Sequence, residues 1–204
     1  MTAQLFMITA PSGAGKTSIV RAVLARMADL SVSISHTTRP MRPADRDGVD
    51  YHFVTPERFD EMIAAGEFLE HARVFDNQYG TSRAVVDSML ESGTDVLLEI
   101  DWQGAEQVRA ITQVCSLFVL PPTLDILRQR LIDRRSDSEQ VIERRMRDAV
   151  ADMRHFKSSD YVVINDDFER AVDEVCSIIT AQRLALPRQL QVNGHLLRDL
   201  VGSD

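Results

Sequence analysis

The chain opens on a short unbroken apolar run, Leu5–Thr9, the pattern of a strand buried on both faces. A loop rich in Gly, Ser and Pro follows at Ala10–Gly15. Apolar residues then recur at Ile19, Val20, Val23, Leu24 and Met27, a spacing that predicts a helix over Ser18–Met27. Residues 36–56 break this pattern: they are rich in arginine and proline, poor in aliphatics, and close on a strand-like Tyr51–Val54. Phe59, Met62 and Ile63 predict a helix over Pro56–Gly66, with Gly66 suited to its C-terminal cap. A further helix is expected over Thr81–Glu91, ending near Gly93. Asp95–Asp101 reads as an apolar strand with acids at its end, and Ser116–Leu120 as another, stopped by Pro121-Pro122. Thr123–Phe156 reads as helix dense in arginine. Tyr161–Ile164 is a third such strand, followed by Asn165-Asp166-Asp167. Val172, Val175, Ile178 and Ile179 share one face of a helix over Phe168–Leu186. Leu196, Leu197 and Leu200 suggest a short helix in the tail after Pro187, docking on the core or on another subunit. Strands alternating with helices predict an α/β fold with a mainly parallel sheet flanked by helices. The polar stretches near 36–88 and 127–156 read as insertions at the strand ends where ligands bind.

Composition narrows the function. The 204 residues are 44% hydrophobic and 26% charged, an ordinary globular balance. Lys and Arg number 23 against 31 Asp and Glu, a net charge of −8. That excludes coating duplex DNA by bulk charge, so no nucleic-acid partner is expected, while a local basic pocket for a phosphorylated small molecule remains compatible. Cys115 and Cys176 lack metal-ligand spacing and fit a reducing compartment. The five histidines show no ligand spacing either, and Trp102 and the methionines read as packing residues. No apolar run approaches the ~20 residues of a membrane span. The start, Met1-Thr2-Ala3-Gln4, has neither the charged nor the apolar region of a secretory signal. The expectation is a soluble cytoplasmic protein with no membrane partner.

Residues 10–17, Ala-Pro-Ser-Gly-Ala-Gly-Lys-Thr, match the Walker A phosphate loop except for Ala10 in place of the first glycine. They stand between the first strand and the first helix, where the chemistry requires them. Gly13 and Gly15 let backbone N–H groups turn inward around phosphate oxygens, and the helix N-terminus adds a favourable dipole. In this pattern Lys16 reaches the β- and γ-phosphates and the Thr17 hydroxyl binds Mg²⁺. The loop alone does not choose among switches, motors and kinases.

The choice comes from a series of blocks: Ser35-His36-Thr37-Thr38-Arg39-Pro40-Met41-Arg42, Gly48-Val49-Asp50-Tyr51-His52-Phe53, Phe68-Leu69-Glu70-His71-Ala72, Tyr79-Gly80-Thr81, Ile100-Asp101-Trp102-Gln103-Gly104 and Val163-Ile164-Asn165-Asp166-Asp167. With them the chain resembles the guanylate kinases, in order and spacing, over roughly residues 4 to 185. The bacterial members also carry Ala-Pro-Ser-Gly-Ala-Gly-Lys in the loop. The resemblance implies a P-loop NTPase core (1–35, 89–126 and 157–204) with an inserted GMP-binding domain (36–88) and a helical lid (127–156). It implies transfer of the ATP γ-phosphate to GMP, and to dGMP, with Mg²⁺, giving ADP and GDP.

By the same resemblance, ATP is held by Ser12, Gly13, Ala14, Gly15, Lys16, Thr17 and Ser18, by Arg130, and by Asn165 and Asp166 on the adenine side. GMP is held by Ser35, Arg39, Arg42, Tyr51, Glu70, Tyr79, Thr81 and Asp101. Arg39 and Arg42 suit phosphate because guanidinium groups grip its oxygens in a fork. Glu70 suits guanine because one carboxylate can accept both N1–H and the N2 amine, donors that adenine lacks on that edge. Thr81 stands where a serine is common, and keeps the hydroxyl. Lys16, Arg42, Arg134 and Arg145 are the implied catalytic cations, spreading over charge that develops on the transferring group. Thr17 is the implied magnesium ligand, with Glu99, an aspartate in most relatives, as a second through water.

Three rivals are weighed. Guanylate-kinase-like binding modules tend to have lost the loop lysine and lid arginines, which this chain keeps. Another kinase on the same frame, acting for example on a phosphorylated sugar, fits Glu70, Tyr79 and Thr81 less well. A GTPase switch lacks its guanine-reading Asn-Lys-x-Asp motif here.

Overall fold

In the computed structural model, which describes residues 3–74, 76–133 and 139–202, the apolar runs become one parallel sheet. Its strands are β1 (Leu5–Thr9), β2 (Leu30–Val32), β7 (Asp95–Glu99), β8 (Cys115–Leu120) and β9 (Tyr161–Ile164), in the order β2-β7-β1-β8-β9. Phe6 of β1 stands opposite Leu97 and Cys115 of its parallel neighbours. Side chains alternate across a strand, so β1 feeds two cores. Phe6 and Ile8 pack with Ile19, Val20 and Val23 of α1 (Lys16–Arg26) and Val172, Val175 and Ile179 of α7 (Phe168–Leu184). Leu5 and Met7 pack with Val86 of α3 (Arg83–Glu91) and Ala105 and Val108 of α4 (Trp102–Ile111). Helices on both faces are why β1 is apolar up to its last residue, Thr9, each buried large apolar side chain contributing roughly 1.5–3 kcal/mol.

A second sheet is mixed, β4-β3-β6-β5, built from β3 (His36–Thr37), β4 (His52–Phe53), β5 (Phe68–Val74) and β6 (Asn77–Ser82). Over it lies α2 (Pro56–Ala64), whose Phe59 and Met62 bury against Phe68. Thr55 caps α2 by accepting from the Arg58 N–H at 3.2 Å, and Gly66 ends it at φ 67°. The β5–β6 hairpin has no counterpart in the periodicity. Thr81 belongs to β6, opposite Glu70, and the expected helix starts two residues later, at Arg83, under a Ser82 cap. Likewise the single helix expected over Thr123–Phe156 is two helices, α5 (Leu124–Asp133) and α6 (Glu139–Met153), and a 3₁₀ turn, Arg154–Ser158. The two helices meet through Leu127, Leu131, Ile142 and Ala149. Past α7, α8 (Leu186–Val192) and α9 (Gly194–Val201) form the tail, and α9 carries Leu196, Leu197 and Leu200 as expected. Among the described residues, no helix is long and apolar enough to cross a membrane.

Candidate active site

The C-terminal ends of β1 and β7 open into a cleft of about 470 Å³. The loop after β1 lines it with Ser12, Gly13, Gly15, Lys16 and Thr17. Gly13 and Gly15 hold φ of 93° and 97°, the left-handed region that side chains resist. Among the described residues no side chain caps α1, and no acid sits in its first turn. Its leading N–H groups are thus left for an anion. Lys16 Nζ donates to the Ile100 carbonyl at 2.6 Å, and the Thr17 hydroxyl donates to the Glu99 carboxylate. Behind the loop, Asn165 Nδ2 donates to the Ala14 carbonyl at 2.7 Å. Arg130 spans the same place, donating to Ala14 O at 3.4 Å and Asn165 O at 2.9 Å. A Cβ on Gly15 would overlap the Asn165 amide.

Across the cleft, Arg39 is held between an acid and two rings. Its guanidinium pairs with Asp45 at 2.9 Å and lies 5.3 Å from the Tyr51 ring and 5.5 Å from Phe53. Asp45 also accepts from the Arg42 N–H at 2.7 Å, and that bond, with Arg39, holds its carboxyl below the usual range. Tyr51 and Tyr79 meet edge to face at 5.8 Å. Burial pushes the Tyr51 hydroxyl up to about 12, so it stays a donor. Glu70 is buried at the floor of the cleft, and the buried Thr81 hydroxyl donates to its Oε1. Burial pushes Glu70 up to about 7, with the Asp101 carboxylate adding to the rise. Asp101 is itself raised by burial, and it caps α4 by accepting from the Gly104 N–H at 2.8 Å. From α6, Val141, Arg144, Arg145 and Asp152 close the side of the cleft.

A loop shaped for phosphates thus faces a dry carboxylate beside two arginines and two tyrosines. Comparison with known proteins places this arrangement. The profile of the guanylate kinase family matches residues 2–182. The guanylate kinase of Chromohalobacter salexigens is 52% identical over 198 residues, 97% of this chain and 92% of that protein. That of Alkalilimnicola ehrlichii is 51% identical over 203 residues, 99% of this chain and all of that one. The crystal structure of guanylate kinase from Anaplasma phagocytophilum superposes with a TM-score of 0.82 at 30% identity, covering 99% of this chain and 97% of that one. The chain belongs to the guanylate kinase family. It is a nucleoside-monophosphate kinase, and its reaction takes ATP and GMP to ADP and GDP.

Around this guanylate kinase cleft stand Ser12, Gly13, Gly15, Lys16, Thr17, Ser35, Arg39, Arg42, Tyr51, Glu70, Tyr79, Glu99, Asp101 and Arg145. Others expected at the site lie outside its lining. Arg130 and Asn165 brace the loop from behind through the carbonyl of Ala14, and Thr81 lies beneath Glu70. Asp166 pairs with Arg170, and Ser18 is exposed on α1. Arg134 lies outside the described residues. Three residues escaped the sequence reading. Asp45 orients Arg39, and its one signal is its place three residues after Arg42. Gly104 lets Glu70 Oε2 come where a Cβ would stand. Gln107 clamps His71, accepting from its N–H at 3.1 Å and donating to its carbonyl at 2.7 Å. The last two act across the chain, and nothing local announces them.

Proposed function

We propose that this cleft performs the reaction with Mg²⁺-ATP on the loop and GMP, or dGMP, on the second sheet. The observation that carries it is the pairing of an open, uncapped helix N-terminus with a buried carboxylate across one cleft. Ser12 to Ser18 cradle the donor phosphates, Lys16 binding the β- and γ-oxygens. Asn165 and Asp166 serve the adenine side, and Arg130 comes to the donor phosphates from the lid; Arg130 and Asn165 also hold the loop in shape. Arg39, Arg42, Tyr51 and Tyr79 grip the acceptor phosphate. Glu70, with Ser35, Thr81 and Asp101, reads guanine. The contacts assigned to the acceptor fall on phosphate and base, and so admit a deoxyribose.

Thr17 and Glu99 offer oxygen ligands side by side at the phosphate end, a hard donor set that suits Mg²⁺. Among the described residues no group of three or more His, Cys, Asp or Glu could hold a metal ion, consistent with an ion that binds largely through substrate phosphates. When bound, Mg²⁺ neutralises charge on the β- and γ-phosphates. Lys16, Arg42, Arg145 and Arg134 stabilise the charge that spreads over the transferring group. No general base is needed, because the attacking phosphate oxygen is already anionic. The segment 36–88 acts as the GMP-binding domain and 127–156 as a lid that excludes water, on the core of 1–35, 89–126 and 157–204. The compartment is read as the cytoplasm, whose reducing conditions suit the free thiols Cys115 and Cys176.

The test is ADP release with Mg²⁺-ATP and each of GMP, dGMP, AMP, CMP, UMP and dTMP. Stimulation by GMP and dGMP alone is expected. Equal stimulation by AMP would overturn the role of Glu70, and loss of all activity without Mg²⁺ is expected on adding a chelator.

A further inference from the structure

Trp102 is the only tryptophan in the chain. It opens α4 directly after Asp101. Its indole lies flat on His155, with ring centroids 3.8 Å apart and planes 10° from parallel. Its Nε1 donates to Asp152 Oδ1 at 2.9 Å. Further along α4, Glu106 stands 3.6 Å from His155 Nδ1, and Arg109 donates to Ser159 Oγ at 3.4 Å. Positions 102, 106 and 109 are spaced four and three apart, so they form one stripe of the helix. That stripe grips the end of α6 and the 3₁₀ turn after it, where the arginine-bearing segment rejoins the core.

Asp152 lines the same cleft as Arg145. The two are seven residues apart, about two helical turns or ~10 Å along one face. Fixing Asp152 therefore fixes the rotation at which α6 presents Arg145. Burial, with Asp101 and Asp148 nearby, raises the Asp152 carboxyl above its usual range, and the indole N–H and His155 oppose that rise without cancelling it. Without that donor the acid has reason to turn away.

We propose that Trp102 is a positioning residue for phosphoryl transfer: it anchors the end of α6 so that the helix holds Arg145 over the cleft. The inference rests on reading α5 and α6 as a lid over the phosphates. The test compares steady-state kinetics and melting temperature for the full chain and for Trp102→Phe, Asp152→Ala, Asp152→Asn and the double variant W102F/D152A. Phenylalanine keeps a ring against His155 while removing the donor and part of the indole's stacking surface; asparagine keeps the acceptor oxygen. We expect Trp102→Phe and Asp152→Ala each to lower kcat about 5–10-fold, the scale of one lost hydrogen bond, with KM for GMP within about twofold. Asp152→Asn should retain kcat within about twofold, and the double variant should fall no further than Asp152→Ala alone, the mark of one shared interaction. A merely structural role would lower melting temperature and spread the loss over kcat and KM alike. Unchanged kcat in Trp102→Phe, additive losses in the double variant, or failure of Asp152→Asn to retain activity would each overturn the anchoring. A wild-type chain without GMP-dependent ADP release would overturn the proposed function itself.

Discussion

Glu70 carries two opposed demands on one side chain. An unfolded glutamate ionises near 4.5, and burial in the folded chain raises Glu70 to about 7. The folded state therefore holds a proton more tightly than the unfolded state between those values. Its stability is full below that window and falls as pH rises through it, by on the order of 3 kcal/mol. The guanine reading proposed for Glu70 needs the opposite state, because only the carboxylate accepts two N–H donors. Glu70→Gln separates the demands by keeping the shape and removing the charge. It should raise the melting temperature near pH 8, with a gain that shrinks toward about pH 5.5. It should also lower kcat/KM for GMP by about 10²–10⁴-fold, the worth of two hydrogen bonds to a charged group, while ATP affinity stays. In the wild-type chain, kcat/KM for GMP should drop as pH falls below about 7. A glutamine variant less stable than wild type near pH 8 would sink the account. Lys16 poses a simpler case. Its ammonium rests on the Ile100 carbonyl within reach of the cleft. Lys16→Ala should lower kcat by about 10²–10³-fold with the melting temperature unmoved, and wild-type rates in a clean preparation would refute its role.

At the scale of elements, the phosphate loop depends on β9 and α5 as much as on its own glycines. Asn165, at the end of β9, and Arg130, on α5, both donate to Ala14 O, and the Asn165 bond is the shorter. Asn165→Ala should therefore loosen the loop and raise KM for ATP roughly tenfold, about 1 to 1.5 kcal/mol, while KM for GMP holds. Equal changes in both constants would show the residue to be a general prop. Neither partner lies near the loop in sequence, which marks the boundary of what the chain discloses by itself. The strands β1, β7 and β8 are legible because both their faces are buried and their runs are apolar, and the edge strand β9 because its run is apolar although Val162 and Ile164 are exposed. The β5–β6 hairpin is not, because the face that forms the site is polar by function: Glu70 and Thr81 are buried against each other rather than against a hydrophobic core. Thr81 then reads as the start of the next helix. The site divides the same way. Lys16, Arg39, Arg42 and Glu70 stand in runs of family pattern and can be named in advance. Asp45 acts locally on Arg39 and Arg42, whereas the place of Gly104 against Glu70 and the grip of Trp102 on Asp152 exist only once β5, α4 and α6 converge.

The whole molecule separates stability from chemistry along a single strand. β7 begins at Asp95 and ends at Glu99, about 13 Å apart at the rise of an extended chain. At its first residue, Asp95 is buried and takes Arg183 at 2.8 Å, Arg188 at 3.1 Å and the Gln4 N–H at 2.7 Å. One carboxylate thus fastens α7, α8 and the start of β1 to the end of the sheet remote from the cleft. At its last residue, Glu99 takes the Thr17 hydroxyl beside the phosphate loop. Removing Asp95 leaves two guanidinium groups partly buried without their partner, and breaking such pairs costs about 3–5 kcal/mol. Asp95→Ala should accordingly lower the melting temperature by many degrees, while kcat per folded molecule, read well below that temperature, stays at the wild-type value. Glu99→Gln should do the reverse. Its carboxylate is partly exposed and its loss leaves no buried charge, so melting should stay put. Turnover should fall about tenfold or more and demand a higher Mg²⁺ concentration for half its maximum, since the carboxylate proposed to hold the cation through water is gone. The pair of variants forms one experiment. If Asp95→Ala lowered kcat at a temperature where the chain is fully folded, the two ends of β7 would be coupled through the sheet, and the parallel core would have to be counted as part of the catalytic machinery rather than its support.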